Sequence, residues 1–253
     1  MAEMLKLSFS GNTALVTGAR SGIGAATVET LVDCGVNVIA LDLNAPKETD
    51  SHPLIQHIVA DVTDESLLPQ LLAESLGESA LDYVVNCAGI HQQVGFESLT
   101  SQDWHRMLDV NLVGAALTVK ASLPWLRKAA NGAVVNVTSL ESERVVALIN
   151  PEPVTHYAAS KAGLAMLTVS MSRDLSRYGI RVNAVAPGFI QTPMAFANHA
   201  GVAELPEQAV SRVPLGRYGQ ATEVAAAIAF LLSEGASYIT GSSLLIDGGF
   251  STT

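Results

Sequence analysis

Cysteine is scarce in this chain of 253 residues: only Cys34 and Cys87 occur. Both lie in apolar runs and neither has C-x-x-C spacing, so a disulfide framework and a thiolate metal site are excluded, and buried, reduced thiols are expected. The six histidines show no ligand spacing, and no metal is expected. Charge is sparse as well, at 15%, and unbalanced, with 14 Lys and Arg against 24 Asp and Glu for a net −10. Such a chain repels phosphate backbones and anionic lipid, which argues against nucleic acid and membrane partners. No run approaches the roughly 18 apolar residues of a membrane span. The opening "MAEMLKLSFSG" lacks the apolar stretch of a signal peptide, so a cytoplasmic protein is expected. There is no G-x-S-x-G elbow to support a hydrolase. Low-complexity segments, linkers and fixed-period repeats are also missing.

What the chain does have is apolar residues, 49% of the total, in a length that suits one domain spanning 1–253 with an extensive core. Short β-branched runs fall at 13–17, 36–42, 55–62, 81–86, 132–139, 180–188 and 243–249, and helical patterns at about 22–34, 64–77, 101–129, 155–178 and 221–233. Thr63 and Thr100 are expected caps, the latter with Asp103 at the third helical position. Strands alternating with helices predict right-handed crossovers and an α/β fold: a doubly wound, seven-stranded parallel sheet with helices on both faces. Between Asp42 and Asp61, Pro46 and Pro53 leave little room for a helix.

The first strand runs straight into "TGARSGIG", Thr17 to Gly24, and then into a helix. Gly18 permits a tight turn, Gly22 lets backbone approach a pyrophosphate, and Gly24 allows close helix packing. The helix N-terminus adds free N–H groups and partial positive charge. Asp42, 18 residues after Gly24, ends the second strand, where a carboxylate accepts hydrogen bonds from an adenosine ribose; the plainer reading is a strand-end Asp in an Asx turn. Asp61 and Val62 end the third strand and "NCAG", Asn86 to Gly89, the fourth, all on the edge where open α/β sheets bind ligands. In "HYAASK", Tyr157 and Lys161 share one helix face. A lone Y-x-x-x-K is more often a structural pair than a site.

Taken together these motifs resemble the short-chain dehydrogenase/reductases, over nearly the whole chain. "TGARSGIG" is similar to that family's coenzyme loop, "NCAG" to its N-N-A-G segment with Cys87 replacing the second Asn, "VTS" to its serine strand, "YAASK" to its Tyr and Lys helix, and "PGFIQT" to its nicotinamide segment. The resemblance implies a Rossmann fold and a catalytic set of Asn111, Ser139, Tyr157 and Lys161. Tyr157 is then the general acid or base, with its phenolate stabilised by Lys161 and by the coenzyme's positive nicotinamide ring, and Lys161 also binds the nicotinamide ribose. Ser139 would hold the substrate oxygen; its plainer reading is a strand-end turn cap. Asn111 would organise a water leading from Lys161 to solvent. Coenzyme contacts extend from Gly18, Arg20, Ser21, Gly22, Ile23 and Gly24 through Asp42, Asp61, Val62, Asn86, Ala88 and Gly89 to Pro187, Gly188, Ile190 and Thr192. His156 should point elsewhere.

The interval from Ser139 to Tyr157 is longer than the family's usual one and carries Pro151 and Pro153. It is expected to shape one wall of a substrate pocket, with Ser139, Glu141, Tyr157, Phe189 and Met194 facing the substrate. The presumed lid, about 188–212, has no Lys or Arg up to Ser211. It offers no anchor for a phosphorylated or coenzyme A substrate, and an uncharged apolar or cyclic secondary alcohol or ketone is expected. A 3-oxoacyl thioester reductase is the alternative within the family, and a silent nucleotide-binding scaffold the alternative outside it. Asp42 would face a 2′-phosphate as a like charge, so NAD is expected before NADP. The apolar helices at 101–129 and 155–178 are expected to pair into a homotetramer.

Overall fold

The computed structural model describes residues 7–46, 51–144, 146, 154–197 and 210–252. The seven expected strands are β1 (Thr13–Thr17), β2 (Asn37–Asp42), β3 (Ile55–Val59), β4 (Tyr83–Asn86), β5 (Ala133–Val137), β6 (Arg181–Pro187) and, after the short pair β7 (Ile190–Gln191) and β8 (Gly219–Gln220), β9 (Ser243–Ile246). They form one parallel sheet in the order β3-β2-β1-β4-β5-β6-β9. Strand order reverses beside β1, which pairs Thr17 with Leu41 of β2 on one side and with Asn86 of β4 on the other. At such a switch point the two carboxyl ends part and leave a crevice.

The helices are α1 (Gly22–Asp33), α2 (Leu67–Leu76), α3 (Ser101–Leu108), α4 (Gly114–Leu126), α5 (Thr155–Leu175), α6 (Pro193–Ala197) and α7 (Ala221–Leu232). Alternation along the strands sorts the core into two layers. Ala14, Val16 and Val38 pack with Val28 and Leu31 of α1 and Ile228 and Leu231 of α7. Leu15, Ile39 and Val84 face the other way, onto Leu68 and Leu72 of α2 and Trp125 and Leu126 of α4. Ala14, Leu15 and Val16 have no exposed area, which is why these strands read as continuous apolar runs rather than alternating ones. Truncating Leu15 or Leu31 to Ala would cost about 2–5 kcal/mol.

Four expectations are corrected. Cys34 is exposed, because the chain leaves α1 there and turns at Gly35 with φ 80°. Cys87 is half-buried, and burial pushes its thiol up to about 12. Thr63 does not cap α2: it donates to Asp61 Oδ1, and Asp64 Oδ1 accepts from the Leu67 amide at the true start of the helix. The helix expected over 101–129 is broken by a π turn, Asp109–Val113, between α3 and α4. The cap at Thr100 holds, as a full box with Asp103. Among the described residues no helix lies between β2 and β3, and none is long and apolar enough to cross a membrane.

Candidate active site

A cleft of 1110 Å3 lies over the carboxyl ends of the strands. Its floor begins where β1 turns into α1. Gly18 has φ 64°, and a Cβ there would sit 2.8 Å from Ala88 backbone atoms, so only glycine lets the loop lie against the end of β4. Gly22 also has positive φ, 54°, and faces Thr192, whose Cγ2 would be 3.3 Å from an added Cβ. A methyl on Gly24 would run into the Gly18 carbonyl. Ser21, the N-cap of α1, makes no side-chain capping bond, which leaves first-turn amides of the helix for an anion. A narrow glycine floor ending in unspent amides fits the pyrophosphate of a dinucleotide.

Asp42 ends β2 at the rim. Its Oδ2 accepts from the Arg20 amide at 3.1 Å, and its Oδ1 from the Asn44 amide at 2.9 Å and side chain at 3.1 Å. The Asx-turn reading and the ribose reading thus coexist, since the turn fixes the carboxylate while lone pairs remain. Arg20 contributes its backbone; its side chain lies outside the cleft lining, near His57 of β3, whose pKa falls through burial first and the Arg20 charge second. Asp61, Val62, Ala88 and Gly89 line the walls, as do Ile23, Pro187, Gly188, Ile190 and Thr192. Asn86 does not. Its side chain turns inward and donates to Asn136 Oδ1 at 2.8 Å, which ties β4 to β5, and Cys87 takes the place on the lining.

At the far end Ser139, Glu141, Tyr157 and Lys161 share the cleft with Phe189 and Met194. Ser139 is a turn cap, accepting the Glu141 amide at 3.1 Å, and its hydroxyl acts to lower the Tyr157 pKa. Lys161, 5% exposed, donates to the Val137 carbonyl at 2.9 Å and stands 5.8 Å from the centre of the Tyr157 ring. Burial pulls its pKa down to about 8. Tyr157 touches the cleft, but close packing around the phenol raises its pKa, Glu141 raises it further, and only Ser139 acts the other way. In the chain alone the residues hold Tyr157 protonated, and the nearby ammonium does not by itself make a phenolate. Glu141 is pushed up to about 7 by burial.

Asn111 is 1% exposed and stands behind the cleft, in the π turn. Its Oδ1 accepts the Ile90 amide at 2.8 Å, and its Nδ2 donates to the Ile90 carbonyl at 2.9 Å and to Ser160 Oγ at 3.0 Å. A Cβ on Gly89 would lie 3.2 Å from Asn111 Oδ1 and 3.5 Å from Lys161 Nζ. The carboxamide therefore pins the chain after β4 next to Lys161. His156 points away from the cleft, fully buried against Trp104 at 6.2 Å between ring centres.

The family model described as enoyl-(acyl carrier protein) reductase matches residues 18–251. The 3-oxoacyl-[acyl-carrier-protein] reductase FabG of Thermotoga maritima is 37% identical, over 96% of this chain and 99% of its own. The chain belongs to the short-chain dehydrogenase/reductase family. Cyclohexanol dehydrogenase of an Acinetobacter species is 33% identical over the full length of both chains. The solved aldohexose dehydrogenase of Thermoplasma acidophilum superposes with a TM-score of 0.85 at 32% identity over 97% of each chain. As a short-chain dehydrogenase/reductase the chain is an oxidoreductase that uses a nicotinamide dinucleotide, NAD or NADP.

Sequence reasoning missed one neighbour of Tyr157 in this short-chain dehydrogenase/reductase: the ring of His91, 4.5 Å away, edge on at 62°. Its signal was position, two residues past Gly89 at the end of β4. Arg106 and Asp109, from α3 and the π turn, also line the cleft; nothing in their local sequence marked them. Residues 145, 147–153 and 198–209 of the expected pocket wall and lid lie outside the described residues.

Proposed function

We propose that the chain is an NAD-dependent dehydrogenase of secondary alcohols, acting on an uncharged apolar or cyclic substrate. The observation that carries this reading is the convergence of Ser139, Tyr157 and Lys161 on the cleft whose other end holds Asp42. NAD would supply a ring carbon that takes hydride, and a positive charge beside the phenol. Ser139 holds the carbinol oxygen. Tyr157 takes the hydroxyl proton as hydride leaves the carbon, and returns one to the carbonyl in reduction. Lys161 orients the ribose, and Asn111, through Ile90, keeps the wall beside it in place. With reactants fixed in line, orientation supplies much of the rate.

Asp42 supports NAD because its fixed carboxylate opposes a 2′-phosphate, and Arg20, whose amide it accepts, contributes backbone rather than charge to the rim. The similarity to cyclohexanol dehydrogenase and to the cis-4-hydroxycyclohexanecarboxylate dehydrogenase of Sinomonas cyclohexanicum, 36% identical, supports a cyclic substrate. A second reading, 3-oxoacyl thioester reduction, is favoured by the FabG relative and by Arg106 on the cleft, against a net charge of −10 that repels an acidic carrier. Assembly into a homotetramer is supported by exposed apolar side chains on α5, Met166 and Val169, and on the edge strand β9, Leu244 and Leu245. Near-ultraviolet absorbance of reduced nicotinamide over a panel of alcohols and thioesters tests the reading. Oxidation of cyclic alcohols with NAD is expected; turnover confined to 3-oxoacyl thioesters with NADP would overturn it.

A further inference from the structure

Glu141 is a half-buried acid that the reaction above does not use. It sits two residues past Ser139 in the 3-10 segment Leu140–Ser142, and its amide is spent on Ser139 Oγ at 3.1 Å. Its side chain lines the cleft beside Tyr157, and its Oε2 is buried with no hydrogen-bond partner among the described residues. A buried carboxyl oxygen left unsatisfied costs free energy unless a bound molecule completes it. The described residues that act on it, or that it acts on, are Ser139 and Tyr157, and neither is a cation. An acid placed there at the expense of stability, within reach of the reacting oxygen's holders, is a recognition group.

We infer that Glu141 is the specificity-determining residue of the substrate end: its carboxyl takes a hydrogen bond from a second hydroxyl, vicinal to the carbinol that reacts, so the preferred substrate is a cyclic diol or polyol. This deepens the alcohol-dehydrogenase reading and rests on it. A hydroxyl is the partner that suits the site because it donates to a carboxylate and accepts from a carboxylic acid. With the acid pushed up to about 7, both forms are present near neutrality. The carbon next to the carbinol is the right place for it, since Glu141 follows Ser139 by two residues and its charge is felt by Tyr157.

The test compares kcat/KM for cis-1,2-cyclohexanediol, cyclohexanol and 2-aminocyclohexanol in the wild-type enzyme, Glu141→Gln and Glu141→Leu. The wild type is expected to favour the diol over cyclohexanol by about 30-fold, the range of one hydrogen bond to a charged group. Glu141→Leu is expected to bring the ratio to about one and Glu141→Gln, which keeps shape and hydrogen bonding without charge, to an intermediate value. The ratio is the readout, so a general loss of activity in either variant does not imitate the result. Equal rates for diol and cyclohexanol in the wild type, an unchanged ratio in both variants, or a preference for the amino alcohol would each overturn the inference while leaving the dehydrogenase reading intact. Failure of the wild type to oxidise any alcohol would overturn both.

Discussion

Two carboxyls share one cleft and are treated in opposite ways. Asp42, at the coenzyme end, is held by three hydrogen bonds from Arg20 and Asn44. Glu141, at the substrate end, is half-buried, with an oxygen that none of the described residues satisfies. The coenzyme end is a finished surface, with glycine floor, unspent helix amides and a fixed acceptor. The substrate end is a cluster of groups in uncomfortable protonation states: Lys161 pulled down to about 8, Glu141 pushed up to about 7 and Tyr157 raised. Binding a ligand of constant structure needs pre-formed geometry, whereas moving a proton needs groups poised between states.

The largest effect that sharpens this contrast comes from Tyr157. Tyr157→Phe removes the proton carrier and none of the coenzyme floor, so turnover should fall about 1000-fold, while NADH binding, followed by its fluorescence, persists. Unchanged turnover would sink the proposed chemistry. In the wild type, alcohol oxidation should rise with pH along an ionising limb, because the raised phenol must lose its proton before it can act as base. The next effect breaks the other half of the comparison. Asp42→Arg replaces the like charge with an anchor, and the ratio of kcat/KM for NAD over NADP should fall by about 100-fold or more. Equal use of both coenzymes by the unmodified protein would mean that Asp42 serves the Asx turn alone.

The coenzyme end was legible in the sequence because its parts are local: a strand, a glycine turn and a helix start lie within 12 residues, and Asp42 follows at a strand end. All seven strands could be placed for the same reason, since buried parallel strands are short apolar runs with few alternatives. The substrate end was less so. Tyr157 and Lys161 were found by spacing, but the neighbours that set their protonation come from elsewhere: Glu141 from the turn after β5, Val137 from that strand, His91 from the end of β4. The burial that raises the Tyr157 pKa in the chain alone could not be read, because burial is a tertiary quantity that an i,i+4 spacing does not contain. Asn86 was misplaced similarly, as its bond to Asn136 depends on the register of β4 with β5. The π turn could not be foreseen because Asn111 bonds to Ile90 and Ser160, far away in sequence.

The smaller predictions read the strain at the substrate end as stability. Lys161 ionises at about 8 in the folded chain against an ordinary 10.5, so between those values the unfolded chain binds more protons and stability climbs with pH. Below that window the buried ammonium costs about 3 kcal/mol. Its bond to Val137 offsets about 1 kcal/mol that Lys161→Met also gives up. Lys161→Met should therefore be inactive yet more stable by about 2 kcal/mol at neutral pH, seen in urea unfolding. A destabilised variant would show that the ammonium is solvated after all.

Glu141 runs in the other direction. Its folded value, about 7, lies above the ordinary 4.5, so across that window the folded chain binds more protons and stability falls as pH rises. The contribution is complete below 4.5 and lost once pH has passed 7. Because part of the side chain still meets water in the cleft, solvent screening trims the expected loss to about 1 kcal/mol. Glu141→Gln cannot ionise, so the difference in unfolding free energy between variant and wild type should move toward the variant by that amount from about pH 5 to about pH 8. A difference that stays flat from about pH 5 to about pH 8 would mean that the Glu141 carboxyl carries no such strain.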